Sequence, residues 1–186
     1  AAQAIGQLGL PQADVLGVSQ GGMIAQELAI RHPGLVRRLV LAVTASRPNG
    51  VMEGAVSGWI EKAGQGRWAA MASAMLEQMY SPPYIKKYRL QHTQLSRQGK
   101  PRDAGRFIAL ARACLTCASY PELHKITCPV LVIGARRDQV VTGRASEEMA
   151  ERLPCELYMY EGLGHAAYDE ARDFNQRVLA FLRAGG

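Results

Sequence analysis

The chain of 186 residues is long enough for one domain with a sizeable hydrophobic core, and its 48% hydrophobic and 20% charged residues are ordinary for a globular protein. No apolar run approaches the roughly 18 residues that a transmembrane helix needs, so the sequence predicts no membrane association. The net charge of +6 is concentrated in residues 45–127, which hold 12 of the 22 Lys and Arg residues and only 5 of the 16 Asp and Glu residues. Because these charges are scattered along predicted helices with few aromatic residues, they indicate a solvated helical face rather than a nucleic-acid surface.

The four cysteines, Cys114, Cys117, Cys128 and Cys155, do not form the framework of an extracellular disulfide-rich protein. A metal site on the first three is disfavoured, because no fourth ligand has suitable spacing. Reduced and mostly buried thiols, together with the lack of a visible basic-then-apolar leader, predict a cytoplasmic protein. The chain begins at Ala1 rather than Met, which leaves a removed leader or an earlier start open.

The first part of the chain predicts a strand–helix–strand unit. A helix ends near residue 8, where Gly9 terminates it. Residues 13–18 and 36–43 are short apolar runs typical of buried parallel strands, and residues 23–32 between them have apolar side chains at helical spacing. Two such strands joined by a helix of this length form a parallel crossover unit.

Residues 50–125 lack β-branched runs and predict helices instead. Ser81-Pro82-Pro83 is expected to break the chain, and Met71, Met75 and Met79 share one helical face. The four helices are predicted over residues 52–63, 67–80, 84–96 and 101–119.

The sheet is predicted to resume with strands over residues 129–135 and 155–160, joined by a helix over 146–153 and closed by an amphipathic helix over 169–184. The fold class is therefore α/β, with a parallel sheet of about four strands, helices on both faces and an all-helical insertion between the second and third strands. The domain division expected from this is 1–44 for the first part of the core, 45–127 for the insertion and 128–186 for the rest of the core.

The sequence Gly17-Val18-Ser19-Gln20-Gly21 reads G-x-S-x-G, and it lies where the first strand meets the following helix. This context makes Ser19 a candidate nucleophile, exposed on a sharp turn at the carboxyl edge of the sheet. Gly17 and Gly21 are expected to allow neighbouring backbone to approach closely. The helix N-terminus behind Ser19 offers free N–H groups and a partial positive charge to an oxyanion.

A serine hydroxyl needs a base, and the base needs an orienting carboxylate. Asp138 follows the strand that ends at residue 135, and His165 follows the strand that ends at residue 160. All three side chains should therefore reach the same edge of the parallel sheet, in the chain order Ser, Asp, His. Other carboxylates and histidines are less suitably placed; the rival acids are Glu161 and Asp169, and the histidines interpreted as structural are His32, His92 and His124.

These three motifs, Ser19 in its G-x-S-x-G turn, Asp138 in Gly134-Ala135-Arg136-Arg137-Asp138 and His165 in Gly164-His165, resemble those of the α/β-hydrolase family. The resemblance implies Ser19 as nucleophile, His165 as general base and Asp138 as orienting acid, with the N–H of Gln20 as one oxyanion donor. It also implies that residues 45–127 are the helical cap, or lid, of that family.

The function expected from this resemblance is hydrolysis of a small-molecule carboxylic ester or lactone through an acyl-enzyme, with no cofactor or metal. A cofactor-free haloperoxidase, a carbon–carbon bond hydrolase or a lyase of the same fold stays open, because the fold hosts all of these. Substrate contacts are expected from the cap, but core packing explains the same residues as well; the candidates are Trp59, Trp68, Met71 and Met75.

The sequence departs from the family pattern before its first strand. The family normally has several strands there and a loop, often beginning His-Gly, that gives the second oxyanion N–H. This chain has about a dozen residues and no His-Gly, so we expect a partial fold: a fragment, an unusually short hydrolase, or a non-catalytic half-domain. Strand 13–18 should then be an open edge that pairs with a second copy or a complementing chain, and helix 169–184 should expose apolar surface.

Overall fold

A computed structural model describes residues 1–97 and 100–184. Its centre is a four-stranded sheet in the order β1-β2-β3-β4, in which every neighbouring pair is parallel. The strands are β1 (Ala13–Val18), β2 (Val36–Ala42), β3 (Val130–Ala135) and β4 (Cys155–Tyr160). The predicted parallel sheet of about four strands is confirmed.

Ten α-helices surround this sheet in the described part of the chain. They are α1 (Ala2–Gln7), α2 (Gln20–Arg31), α3 (Gly50–Gly64), α4 (Trp68–Met79), α5 (Pro82–Lys87), α6 (Arg89–Arg97), α7 (Ala104–Cys114), α8 (Gly143–Ala150), α9 (Ala167–Glu170) and α10 (Phe174–Arg183). Short 3-10 helices cover Pro33–Leu35 and Tyr120–Lys125. Helices α3 to α7 form the helical insertion between β2 and β3. No helix within residues 1–97 and 100–184 is both long and apolar enough to cross a membrane.

The two central strands are apolar on both sides because helices cover both faces of the sheet. Leu39 and Leu41 of β2 are fully buried against α1, α2 and α8. Val40 and Ala42 of the same strand face the opposite layer, where α10 packs. This alternation fixes the register of β2 and leaves its carboxyl end beside the end of β1.

The structure corrects the third predicted helix, over residues 84–96. Two helices, α5 and α6, take its place. Ser81-Pro82-Pro83 separates two helices, as predicted, because α4 ends at Met79 and the backbone is extended at Tyr80 and Ser81. Pro82 begins α5, where a missing N–H costs nothing, and Ser81 Oγ caps this helix by accepting from the N–H of Tyr84. The proline pair therefore marks a helix start.

Of the other predicted helices, one is shorter in the structure, one is interrupted and one is shifted along the chain. The helix predicted over 101–119 is α7, Ala104–Cys114. It begins after Asp103, because Asp103 Oδ1 caps the helix by accepting from the N–H of Arg106 at 2.8 Å. The helix predicted over 169–184 is divided into α9 and α10, and extended backbone at Ala171 separates them. The helix predicted over 146–153 lies three residues earlier, as α8.

Strand β1 is at one end of the sheet, as predicted, and Leu16 on it is 44% exposed. The closing helix was expected to expose apolar surface on its sheet face; this face is buried, although Leu179 elsewhere on the helix is 46% exposed. Phe174, Val178 and Phe181 of α10 are buried against β2 and β3, because α10 packs over the middle of the sheet rather than over its β1 edge.

Candidate active site

Ser19 lies on a strained turn between β1 and α2. Its φ of 52° and ψ of −121° are unusual for a residue other than glycine, and its N–H donates to the carbonyl of Ala42 at 2.9 Å. A Cβ at Gly17 would lie 2.6 Å from the carbonyl oxygen of Gly21, so only glycine allows α2 to turn back so closely on β1. The G-x-S-x-G spacing is thus explained by a turn that holds Ser19 at the carboxyl edge of the sheet.

The second close approach is at Gly22 and not at Gly21, which corrects the sequence-based expectation. A Cβ at Gly21 would meet nothing within 4 Å, whereas one at Gly22 would lie 2.6 Å from the side chain of Thr44. Thr44 follows β2 and its hydroxyl donates to the carbonyl of Ser19 at 2.7 Å. Sequence reasoning missed Thr44; its place just after the strand neighbouring β1 was the available signal.

A continuous chain of hydrogen bonds joins the three predicted residues. Ser19 Oγ lies 2.8 Å from His165 Nε2, and His165 Nδ1 lies 2.8 Å from Asp138 Oδ2. His165 is 2% exposed and Asp138 is 7% exposed, so water has little access to the bond between them. Through these hydrogen bonds the serine proton can move to the imidazole, while the carboxylate fixes the imidazole tautomer.

The second carboxylate oxygen of Asp138 is also held. Asp138 Oδ1 accepts from the N–H groups of Val140 at 2.7 Å and Val141 at 2.9 Å. These bonds stabilise the ionised carboxylate and leave its other oxygen for the histidine. The rival carboxylates point elsewhere, since Asp169 accepts from the Tyr80 hydroxyl and Glu161 pairs with Arg136.

The backbone N–H of Gln20 occupies the first position of α2, directly after Ser19. An N–H at this position has no acceptor within its own helix and lies at the positive end of the helix dipole. It can therefore donate to an oxygen that becomes negatively charged beside Ser19.

The helical insertion is fixed to the loop that carries His165. The carbonyl of Met79, at the end of α4, accepts from the N–H of Ala166 at 2.8 Å, and it lies 3.1 Å from where a Cβ at Gly164 would be. Ser81 donates from its backbone N–H to Glu170 at 2.8 Å. Because the Met79 contact uses a backbone carbonyl, no side-chain pattern in the sequence could have predicted it.

The comparison with known proteins decides the family. The family model for the alpha/beta hydrolase fold matches residues 2–172. The chain belongs to the α/β-hydrolase family. The RutD protein of Rhizobium rhizogenes, whose name describes a carbamate hydrolase, is 29% identical over 182 residues, which cover 96% of this chain and 70% of that protein.

Two further comparisons agree with this assignment. The 3-oxoadipate enol-lactonase 2 of Acinetobacter baylyi is 25% identical over 180 residues, which cover 95% of this chain and 66% of that protein. The crystal structure of MGS-M2, an α/β hydrolase from a deep-sea metagenome library, superposes with a TM-score of 0.88 and 25% identity, covering 97% of this chain and 68% of the other. This α/β hydrolase thus spans about two thirds of the length of these proteins.

In this α/β hydrolase, the predicted substrate contacts lie in an apolar cluster of the helical insertion. Trp59 and Met71 are buried, at 9% and 3% exposure, and Trp68 and Met75 pack partly buried around them. The indole N–H of Trp59 donates to a side-chain amide oxygen of the next helix at 2.7 Å. Met23, in the first turn of α2, belongs to the same cluster.

Two cavities of this hydrolase adjoin the three polar residues without being lined by them. A groove of about 510 Å³ between α2 and α7 is lined at one end by Gln20. A second, of about 430 Å³, is lined by Arg137 and Gly164, the residues that precede Asp138 and His165.

The four cysteines are free and half-buried, and burial raises the pKa of the Cys114, Cys128 and Cys155 thiols. Within the described residues, no group of three metal-ligating side chains comes together. Cys114 instead accepts a hydrogen bond from the side chain of Gln20.

Proposed function

We propose that this chain is a serine hydrolase that cleaves a carboxylic ester or a lactone. The observation that carries the proposal is the pair of 2.8 Å contacts that link Ser19 to His165 and His165 to Asp138. The relatives support hydrolysis as the reaction class, since one is named as a carbamate hydrolase and another as an enol-lactonase.

The proposed reaction begins when Ser19 Oγ attacks the ester carbonyl and its proton moves to His165 Nε2. Asp138 keeps the other ring nitrogen protonated and stabilises the imidazolium that forms. His165 then gives the proton to the leaving alcohol oxygen as the carbon–oxygen bond breaks, which leaves an acyl group on Ser19. Water, deprotonated by His165, attacks the acyl group and releases the acid.

The negative oxygen of the tetrahedral intermediate is proposed to accept from the backbone N–H of Gln20. One such donor typically contributes about 10²–10³ in turnover. The Ser19 turn supports this role, because Ser19 is the N-cap of α2 and Gln20 is the first residue of that helix.

The apolar part of the substrate is proposed to lie against the cluster that contains Trp59, Trp68, Met71 and Met75. The cluster reaches the site from both sides, since it includes Met23, four residues after Ser19, and Val140 and Val141, which follow Asp138. An acyl or alcohol group placed on Ser19 would therefore meet apolar side chains of the helical insertion.

The test is labelling of the purified chain by a fluorophosphonate probe, which reacts only with an activated serine. We expect one label per chain, lost in Ser19→Ala and retained in Ser73→Ala, a matched change at a partly exposed serine of α4 whose hydroxyl donates to Glu77. A panel of short-chain p-nitrophenyl esters and lactones would then define the substrate. Absence of labelling in a folded chain, or labelling that survives Ser19→Ala, would refute the proposal.

The same experiment separates the alternatives of other classes. A non-catalytic half-domain would fold and remain unlabelled until a complementing chain is added. A haloperoxidase, carbon–carbon bond hydrolase or lyase would be labelled at Ser19 but would not turn over the esters and lactones of the panel.

A further inference from the structure

The side chain of Gln20 joins the Ser19 turn to the last turn of α7 in the helical insertion. Its Nε2 lies 2.6 Å from the carbonyl oxygen of Leu110 and 3.0 Å from Cys114 Sγ. These acceptors are 90 and 94 residues away along the chain. Both hydrogens of the amide are therefore directed at one turn of one helix.

The main chain of Gln20 has a role separate from that of its side chain. Its N–H is the proposed donor to the oxyanion, and it belongs to the same residue whose side chain contacts α7. A movement of α7 relative to α2 therefore acts directly on the residue that carries this N–H.

A second glutamine of α2 fixes the base of the helical insertion. Gln26 is fully buried; its Nε2 donates to the carbonyl of Ala45 at 3.2 Å, and its Oε1 accepts from Ser119 Oγ at 2.6 Å. Ala45 and Ser119 lie where the chain enters and leaves the insertion. This end of the insertion is consequently held by buried hydrogen bonds, which water cannot easily replace.

The contacts of Gln20 differ because they border the 510 Å³ groove between α2 and α7, and Leu110 is 44% exposed there. Water can compete for these hydrogen bonds, so they are weaker than those of Gln26. The Gln20 contacts thus hold the last turn of α7, a few residues before Ser119, where Gln26 fixes the chain again.

We propose that Gln20 is a positioning residue: its side-chain amide holds α7 against the Ser19 turn and thereby orients its own backbone N–H toward the oxyanion. The inference rests on the proposed serine hydrolase function. Oxyanion stabilisation depends on accurate direction of the donor, so loss of the amide lowers the rate of the chemical step more than substrate affinity.

The test compares Gln20→Met, which keeps the length of the side chain but removes the donor, with Gln65→Met as a control. Gln65 is exposed in the same insertion and bonds to Glu61 of α3. Two properties are measured: kcat and KM for p-nitrophenyl acetate, and the rate at which N-ethylmaleimide alkylates Cys114, followed by peptide mass spectrometry.

For Gln20→Met we expect kcat to fall about tenfold, less than the 10²–10³ lost when a donor is removed, with KM changed less than kcat. Cys114 should be alkylated several-fold more slowly than in the wild type, because the Gln20 amide that donates to its sulfur lowers the pKa of the thiol and this donor is lost. Gln65→Met should match the wild type in both measurements.

Wild-type kcat in Gln20→Met overturns the positioning role, whatever happens at Cys114. If Gln20→Met does not fold, Cys114→Ala is measured instead, because it removes one of the two acceptors that Gln20 has on α7. A lower kcat with KM unchanged supports the positioning role. A wild-type kcat overturns it. If the wild type has no esterase activity, the proposed serine hydrolase function is contradicted. The contact between Gln20 and α7 is still tested in that case, because equal alkylation of Cys114 in the wild type and in Gln20→Met rejects it.

Discussion

The Thr44 side chain fills the space where a Cβ at position 22 would project, 2.6 Å from that point, while its hydroxyl donates to the carbonyl of Ser19 at 2.7 Å. Thr44 therefore bonds to the nucleophile turn and limits how α2 packs on β2. Both this contact and the G-x-S-x-G spacing therefore constrain the turn that holds Ser19.

Gly22→Ala is expected to destabilise the chain by about 1–3 kcal/mol, because the added methyl group overlaps a side chain that is itself fully buried. Gly21→Ala is the matched control one position earlier in α2. It meets nothing within 4 Å and should be neutral or stabilising by up to about 1 kcal/mol, since alanine favours helix. Urea unfolding of the two variants checks this, and an equal loss in both would contradict the packing argument.

Asp138→Asn is expected to lower kcat by about 10³–10⁴ at neutral pH, since the amide cannot hold His165 in the tautomer that accepts the serine proton. The two backbone N–H groups that bond to Asp138 Oδ1 remain available to the new side-chain oxygen, so the chain should still fold. The measurement is kcat for an activated ester, with circular dichroism to verify folding.

The control variants for this prediction are Asp169→Asn and Glu161→Gln, which change the two other carboxylates near the histidine loop. Asp169 bonds to Tyr80 and Glu161 pairs with Arg136, so neither orients His165. Both should keep kcat close to the wild type, and a large loss in either would move the orienting role away from Asp138.

The sequence predicted the strands, their parallel order and the three polar residues because each depends on local patterns. Apolar runs define β2 and β3, and residues that follow parallel strands meet at one edge. Thr44, by contrast, acts through a packing contact with Gly22, and Gln20 through a contact 90 residues away. Contacts of this kind have no periodicity or spacing that a single sequence can reveal.

The helical insertion was predicted in kind but not in detail, for a different physical reason. Ser81 before α5 and Asp103 before α7 act through capping, which decides a helix boundary locally and overrides apolar periodicity. The burial of α10 also depended on tertiary structure, because its apolar face finds β2 and β3 rather than the edge strand.

Tyr160 predicts a specific loss of stability at alkaline pH. Burial and the hydrogen bond from its hydroxyl to Asp173 raise the pKa of Tyr160 to about 12, above the value of about 10 in an unfolded chain. The stabilisation is fully present below about pH 10 and is lost as the pH rises toward 12, because the folded state holds the proton more tightly. Tyr160→Phe should therefore be less stable than the wild type at pH 8, and this difference in the free energy of unfolding should shrink at pH 11. Guanidinium unfolding of both proteins at the two pH values measures the difference. A difference that stays constant would contradict the raised pKa of Tyr160.

Strand β1 predicts association through its open edge. The N–H of Ser19 bonds to β2, and bonded residues alternate along a strand, so the backbone groups of Leu16 face away from β2. We propose that this edge pairs with a strand of a second copy or of a complementing chain.

Sedimentation velocity of the wild type should show concentration-dependent association or binding of the added chain. Both should be weakened in Leu16→Lys, because the substitution places a charge at the interface. Leu90→Lys makes the same change at a leucine of α6 that is 82% exposed and should behave as the wild type. A wild type that remains a stable monomer with β1 uncovered would show that the edge needs no partner.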